Sequence, residues 1–313
     1  MSAFRADERG VALITVLLVV AVLTGIVSRL TLSSEIWIRQ VQGGAAMSQA
    51  RQVARAAEQW VGLILMEDTN DHDGRQDIWA RPLPPLPVAW GEVDGRIEDM
   101  QGRFNLNNLV TAKGQVDSAS LERFRRLLRI LELDPGIAEA TVDWIDPDSL
   151  PTGAGGAEDS FYRTRQPPYF AANRRLDVAE ELRLVRGVDG NAWQALKPHV
   201  AALPEATGVN LNTATPAVLA AAVPAWGPPY QALNRGERWS KETDREPFAS
   251  REAFIGEAFD EAPEDPVGGI TVKSQFFEAH LNASFGRVEH RLATLYFRGQ
   301  DQAEIVRHRR EIP

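Results

Sequence analysis

The segment from Asp143 to Tyr162 concentrates acidic oxygen in a chain that has no cysteine. A helix end delivers Asp143 and Asp146, Asp148 follows a proline, and a glycine-rich loop returns with Glu158 and Asp159. Carboxylates this close repel one another unless they are exposed, protonated or bound to a cation. Oxygen donors without His or Cys suit calcium better than zinc. Glycine-rich backbone lets carbonyls turn toward an ion. Asp177 or Glu181 would complete the shell. Two readings stay open, a structural calcium site and a solvated acidic loop. A third use of the same atoms is a glycosidase-like pair, Asp146 with Glu158, which needs a cleft and one carboxyl held protonated.

No other chemistry is spelled out. Gly-x-Ser-x-Gly, His-Glu-x-x-His and P-loop patterns do not occur. His72, His199, His280, His290 and His308 are scattered, and His290 and His308 read as surface or packing residues of strands. The polar run Glu67–Asp77 contains Asp71-x-Asp73-Gly74, which resembles part of a calcium loop. A Glu at position twelve of an EF-hand spacing is missing, so the run reads as a solvated turn. A formal net charge of −9 disfavours nucleic acid as a partner. The absence of cysteine excludes disulfides and thiol nucleophiles.

The elements that must hold the acidic segment are helical. Ser118–Leu133 places Leu121, Phe124, Leu127, Leu128 and Leu131 on one face, and Asp134-Pro135-Gly136 stops it and starts the next helix through Ile145. Further helical clusters cover Val178–Leu203 and the stretch after Gly208, where Thr213 or Thr215 caps a helix with Pro216 in its first turn. Residues 224–269 are rich in Pro and Gly, including Glu261–Pro266, with a short helix at Arg251–Ile255. On either side the texture is β. Arg81–Pro87 reads as a stiff connector, and Val88–Met100 alternates with Asp94-Gly95 as a hairpin signal. Ile270–Leu281, Arg287–Phe297 and Glu304–Arg309 read as strands of one meander. Phe104-Asn-Leu-Asn-Asn and Val209-Asn-Leu-Asn-Thr form a weak internal echo. The second resembles a helix-hairpin-helix of DNA-binding proteins, but with Glu205 near and almost no Lys it reads as helix packing, with no nucleic acid bound.

The chain opens on Arg9-Gly10 and an uncharged apolar run, Val11–Val27, closed by Ser28-Arg29. At 1.5 Å per residue this run just crosses a bilayer core of about 30 Å. Leu30, Ile36, Trp37, Val41, Ala50, Val53, Ala54, Ala57, Trp60, Val61, Ile64 and Leu65 then recur at helical spacing, with no Pro from Val11 to Met66. One helix, half in lipid and half amphipathic, is expected. Arg5 and Arg9 before the apolar run argue for a cytoplasmic N-terminus and a periplasmic body, against Arg29 and Arg39 beyond it.

An apolar helix directly after a short basic-polar leader ending in Gly resembles the class III leader of type IV pilins and pseudopilins. The run Gly10-Val-Ala-Leu-Ile-Thr-Val-Leu-Leu-Val-Val20 is closest to the protein K family of the type II (general) secretion pathway, which are minor pseudopilins. The likeness implies cleavage by prepilin peptidase between Gly10 and Val11, with the apolar segment kept as anchor and filament core. Most pilins carry Phe just after the cut and Glu at the fifth mature position, and here these are Val11 and Thr15. In the family that Glu pairs with the next subunit's N-terminal amine, so its loss suits a subunit at the filament tip. The resemblance also implies a calcium-binding periplasmic part, raising the calcium reading of Asp143, Asp146, Asp148, Glu158 and Asp159. It implies minor pseudopilins I and J as partners, with H beneath.

The expected fold is α+β, a long N-terminal helix packed on an antiparallel sheet with a large inserted all-α domain. Residues 1–10 form the leader, 11–66 the helix, 67–112 the first part of the β domain, 113–269 the helical insertion (divided near 205) and 270–313 the second β part. The expected function is a non-enzymatic minor pseudopilin at the tip of the pseudopilus, anchored in the inner membrane and needed for assembly and protein export. The alternative is a membrane-anchored periplasmic hydrolase using Asp146 and Glu158.

Overall fold

The computed structural model describes residues 5–89, 91–241, 246–260 and 269–311. Helix α1 (Arg5–Glu67) is continuous for 63 residues, about 95 Å at 1.5 Å per residue. Its two halves differ in surroundings. From Val11 to Val41 every large apolar side chain is exposed. From Ala50 onward Ala50, Ala54, Ala57, Val61, Ile64 and Leu65 are buried at helical spacing. Three alanines in that stripe let the helix approach a sheet closely. Trp60 is on the solvent side instead, and 39% exposed, because its angular position falls off the stripe defined by Ala57 and Val61.

Strands β1 (Leu83–Val88) and β2 (Gly91–Asp99) follow, then the short β3 (Phe104–Asn105). The insertion holds α2 (Ser118–Ile130), α3 (Gly136–Ile145), the single turn α4 (Asp159–Tyr162), α5 (Gly190–Leu196), β4 (Val200–Ala201), β5 (Val209–Asn210), α6 (Pro216–Ala222), α7 (Pro229–Lys241) and α8 (Arg251–Ala258). The chain returns through β6 (Ile270–Thr271) to β7 (Phe276–Phe285), β8 (Val288–Arg298) and β9 (Ala303–Glu311). The main sheet runs β1-β2-β7-β8-β9, each neighbouring pair antiparallel. Thus β2, from before the insertion, pairs along its whole length with β7, from after it. The expected sheet interrupted by helices is the observed one.

Phe277, Ala279, Leu281, Ala283, Leu292 and Tyr296 cover the apolar stripe of α1. Thr294 donates to Glu58 Oε1 (2.5 Å), giving this buried carboxylate a partner, and Tyr296 donates to the Glu58 backbone carbonyl (2.9 Å). A second, larger core unites α2, α3, α5, α6 and α8 around Phe124, Leu127, Trp144, Tyr162, Trp226 and Phe254.

Several local expectations change. Asp94 and Gly95 are not a turn: both lie inside β2, and a Cβ on Gly95 would sit 2.5 Å from the His280 carbonyl oxygen. That glycine serves close strand packing. The proline-rich connector is edge strand β1, and its Pro84-Pro85 pair falls where the register with β2 shifts, a place where a missing N–H is tolerated. Helix α7 arises within the Pro/Gly-rich stretch, and Pro229 is its first residue, a position that does not need the N–H. Thr215 rather than Thr213 caps α6, accepting from Val218 N. The reading of Glu261–Pro266 lies outside the described residues.

Candidate metal centre

Helix α3 ends at Ile145 because Pro147 follows its C-cap, Asp146. Asp143 and Asp146 therefore sit in the last turn, where backbone carbonyls already carry partial negative charge. Both are buried, 0% and 2% exposed. The loop then leaves through exposed Asp148, whose Oδ1 accepts from Leu150 N, and returns to put Glu158, 4% exposed, at the same place. Asp146, Asp148 and Glu158 each present an oxygen within 4.8 Å of the others.

The glycines make this return tight. A Cβ on Gly155 would lie 2.6 Å from the Gly136 Cα, and one on Gly156 would lie 2.4 Å from Asp143 Oδ2. These glycines are required for close approach of loop to helix, a different use from turning carbonyls toward an ion. The Gly156 carbonyl is in fact taken by Arg186 Nη1 at 2.9 Å. Asp143 anchors the loop, accepting from Thr152 N at 2.8 Å on Oδ1. Tyr162, packed edge-on against Trp144 at 5.1 Å, accepts from Arg186 N and closes the floor.

Three buried oxygens have no hydrogen-bond partner among the described residues: Asp143 Oδ2, Asp146 Oδ1 and Glu158 Oε1. Burial, then repulsion from Asp148 and Asp143, pushes the Asp146 carboxyl up to about 7. Burial, then repulsion from Asp143 and Asp146, pushes Glu158 up to about 7. Burial also raises Asp143. Orphaned, mutually repelling oxygens at a helix C-terminus are the groups a divalent cation satisfies, and an all-oxygen set suits calcium.

Of the five carboxylates singled out in the sequence, Asp146, Asp148 and Glu158 converge and Asp143 lies beside them. Asp159 turns aside: it opens α4 and its Oδ1 accepts from Ala171 N at 2.9 Å. Asp177 and Glu181 do not join either. Glu181 accepts from Asp177 N and Val178 N, and both acids pair with Arg174. The roles of Thr152 and Arg186 are not readable from the residue pattern, since neither belongs to the acidic run. Gly10 and Val11 both lie inside α1.

The family model for type II secretion system (T2SS) protein K matches residues 102–205, which contain this centre. The type II secretion system protein K of Pseudomonas aeruginosa is 35% identical over 95% of this chain and 91% of its own length. The chain belongs to the type II secretion system protein K family. The Aeromonas hydrophila protein K is 32% identical over 96% of each chain. The fold matches a solved chain of the GspK-GspI-GspJ complex from enterotoxigenic Escherichia coli with a TM-score of 0.75, covering 88% of this chain and all of that one, at 23% identity. Membership of the protein K family makes the chain a minor pseudopilin, a structural part of a secretion machine. Among the described residues one helix, α1 from Val11, is long and apolar enough to cross a membrane, which is compatible with an anchor.

Proposed function

We propose that this chain caps the pseudopilus of the type II secretion system and is needed for pseudopilus assembly and for export of folded proteins from the periplasm. The observation that carries this reading is α1. Its second half is locked to the sheet, while its first half leaves Val11–Val41 bare, a surface suited first to lipid and then to neighbouring subunit helices. Thr15 supports a position at the tip. Its hydroxyl is used within the helix, donating to the Val11 carbonyl at 2.8 Å, and it offers no charge to the amine of a subunit above. The large helical insertion suits a cap, because it adds bulk that a repeating shaft subunit would have to accommodate at every step.

The partners are minor pseudopilins I and J, by analogy with the complex named above, with H below them. The leader is removed by prepilin peptidase after Gly10, in the inner membrane. Asp146, Asp148 and Glu158, with Asp143 behind them, hold calcium, which neutralises the buried carboxylates and pins the loop to α3. The ion's role is structural, and nucleic acid is not a partner. Co-expression tests the assembly: the full-length chain should co-purify with I and J of the same system, and its deletion should leave a secreted protein in the periplasm. Export unaffected by deletion would overturn the reading. Gly10→Phe should leave uncleaved precursor, and normal processing of that variant would refute the leader assignment.

A further inference from the structure

The polar run after α1 is not the solvated turn its sequence suggests. Asp73 is fully buried, and the Asp68 side chain is 3% exposed. Asp68, Asp73 and Asp77 each offer an oxygen within 4.8 Å of the others. Asp73 Oδ2 accepts from Ser274 N (2.7 Å) and from Arg298 Nη2, yet the neighbouring Oδ1 is buried without any hydrogen-bond partner among the described residues. Such an orphaned acceptor is costly unless a cation or water meets it.

The charges do not balance. Arg298 is the guanidinium that reaches both Asp68 (3.4 Å) and Asp73. Asp99, close enough to repel Asp73, spends its charge on neutral donors, Thr213, Ser274 and Asn210 hydroxyl or amide groups and Gln101 N. Among the described residues, buried Arg298 thus reaches two of these four carboxylates. Burial is the main cause that raises Asp73, to about 6. The loop is already folded around the three acids: Asn70 N donates to Asp68 Oδ1, and Gly74 N donates to Asp77 Oδ2 at 2.7 Å. A cleft of about 900 Å³, lined in part by Asp68, Thr69, Lys273, Ser274 and Arg298, connects this place to solvent and supplies a route for an ion.

We propose that the loop from Asp68 to Asp77 is a second calcium site, held by carboxylate oxygens of Asp68, Asp73 and Asp77, separate from the centre at Asp146. The residues around it come from three parts of the chain. Asp68 directly follows α1, Ser274 and Arg298 belong to the returning β segment, and Asn210, whose amide donates to the Asp73 carbonyl at 3.2 Å, belongs to the insertion. An ion here ties the anchor helix, the sheet and the helical domain at one point.

The test is calcium titration by calorimetry on the full-length chain in detergent micelles, with magnesium as a competitor. Asp146→Asn with Glu158→Gln removes the first centre and should leave one calcium bound per chain. Adding Asp77→Asn, which keeps an oxygen to accept from Gly74 N, should weaken that remaining ion at least tenfold. Terbium provides a second readout that does not depend on stability. Trp79 is buried two residues beyond Asp77, so its sensitised terbium emission should persist in the first double variant and vanish with Trp79→Phe. No calcium heat and no terbium emission in the Asp146→Asn, Glu158→Gln protein overturns this proposal, as does binding there that Asp77→Asn leaves unchanged. Loss of the Asp146 centre alone is a different result: wild type would then bind one ion, insensitive to Asp146→Asn and sensitive to Asp77→Asn.

Discussion

Removing calcium should make this protein less stable as pH rises, and adding it should offset most of that loss. The Asp146 carboxyl moves from an ordinary value of 3.8 to about 7 in the fold, and Glu158 from 4.5 to about 7. Between those values the folded chain binds more protons than the unfolded one, so stability falls with pH through that window. The stabilisation is complete below about pH 4 and lost above about pH 7. At about 1.4 kcal/mol per pH unit, Asp146 alone costs about 4 kcal/mol at pH 8. Glu158 adds to this in the same direction, because burial is the first cause for each group, so about 4 kcal/mol is the lower figure for the pair. For a body of this size, about 4 kcal/mol is roughly 8–16 °C of melting temperature. Calcium at a hundredfold excess over its Kd returns about 2.7 kcal/mol. The assay is thermal unfolding of the full-length chain in detergent at pH 5 and pH 8, with EDTA or with calcium chloride. With EDTA the pH 8 sample should melt lower, and calcium should recover most of the difference. Asp146→Asn with Glu158→Gln should make the EDTA profile shallower, leaving the same-sign effects of buried Asp73, Asp99 and Asp143. EDTA-treated wild type that melts as high at pH 8 as at pH 5 would refute the reasoning.

Gly156→Ala should weaken calcium at the Asp146 centre at least tenfold, about 1.4 kcal/mol, by forcing a methyl against Asp143 Oδ2 and Thr152 N, and calorimetry would read this directly. Asn107→Ala should cost about 3 kcal/mol or more in urea unfolding, because it strips partners from Leu176 N and from the carbonyls of Leu176 and Leu203, all inside the helical domain. Ala54→Leu should cost about 1–3 kcal/mol by overpacking the seam between α1 and the sheet, with the secondary structure unchanged by circular dichroism.

The apolar first half of α1, the sheet strands and α2 were legible because each has its own pattern: an unbroken apolar run, a period of two for a half-buried strand, 3.6 for α2. What escaped depended on neighbours distant in sequence. Asp94-Gly95 has the chemistry of a turn, but β7 lies against it and makes the same glycine a packing residue. Helix α7 hid behind Pro228 and Pro229, which signal a break and here mark a start. At the acidic centre the sequence showed the donors, yet not which would converge. That outcome was decided by Ala171, which claims Asp159, and by Arg174, which claims Asp177 and Glu181. Asp73 looked solvated because nothing local reveals Arg298, 225 residues away.

The internal echo of Asn-Leu-Asn has a physical basis in how the helical domain is attached. In each copy the first asparagine turns its own chain, accepting from the N–H two residues on: Asn107 N to Asn105, and Asn212 N to Asn210. Each also sits in a two-residue parallel ladder, Phe104–Asn105 with Val200–Ala201 and Val209–Asn210 with Ile270–Thr271. Their amides then reach across. Asn105 donates to the Glu205 carbonyl, and Asn210 donates to Asp99 at the end of β2 and to Ser274 just before β7. Two ladders and two buried amides replace the flexible linkers usual at a domain boundary. The insertion is therefore fixed to the sheet, so force on it passes to β2 and β7, and from the sheet to α1. A flexible joint would let the insertion swing without moving α1. The rigid joint suits a subunit whose bulk must travel with its helix.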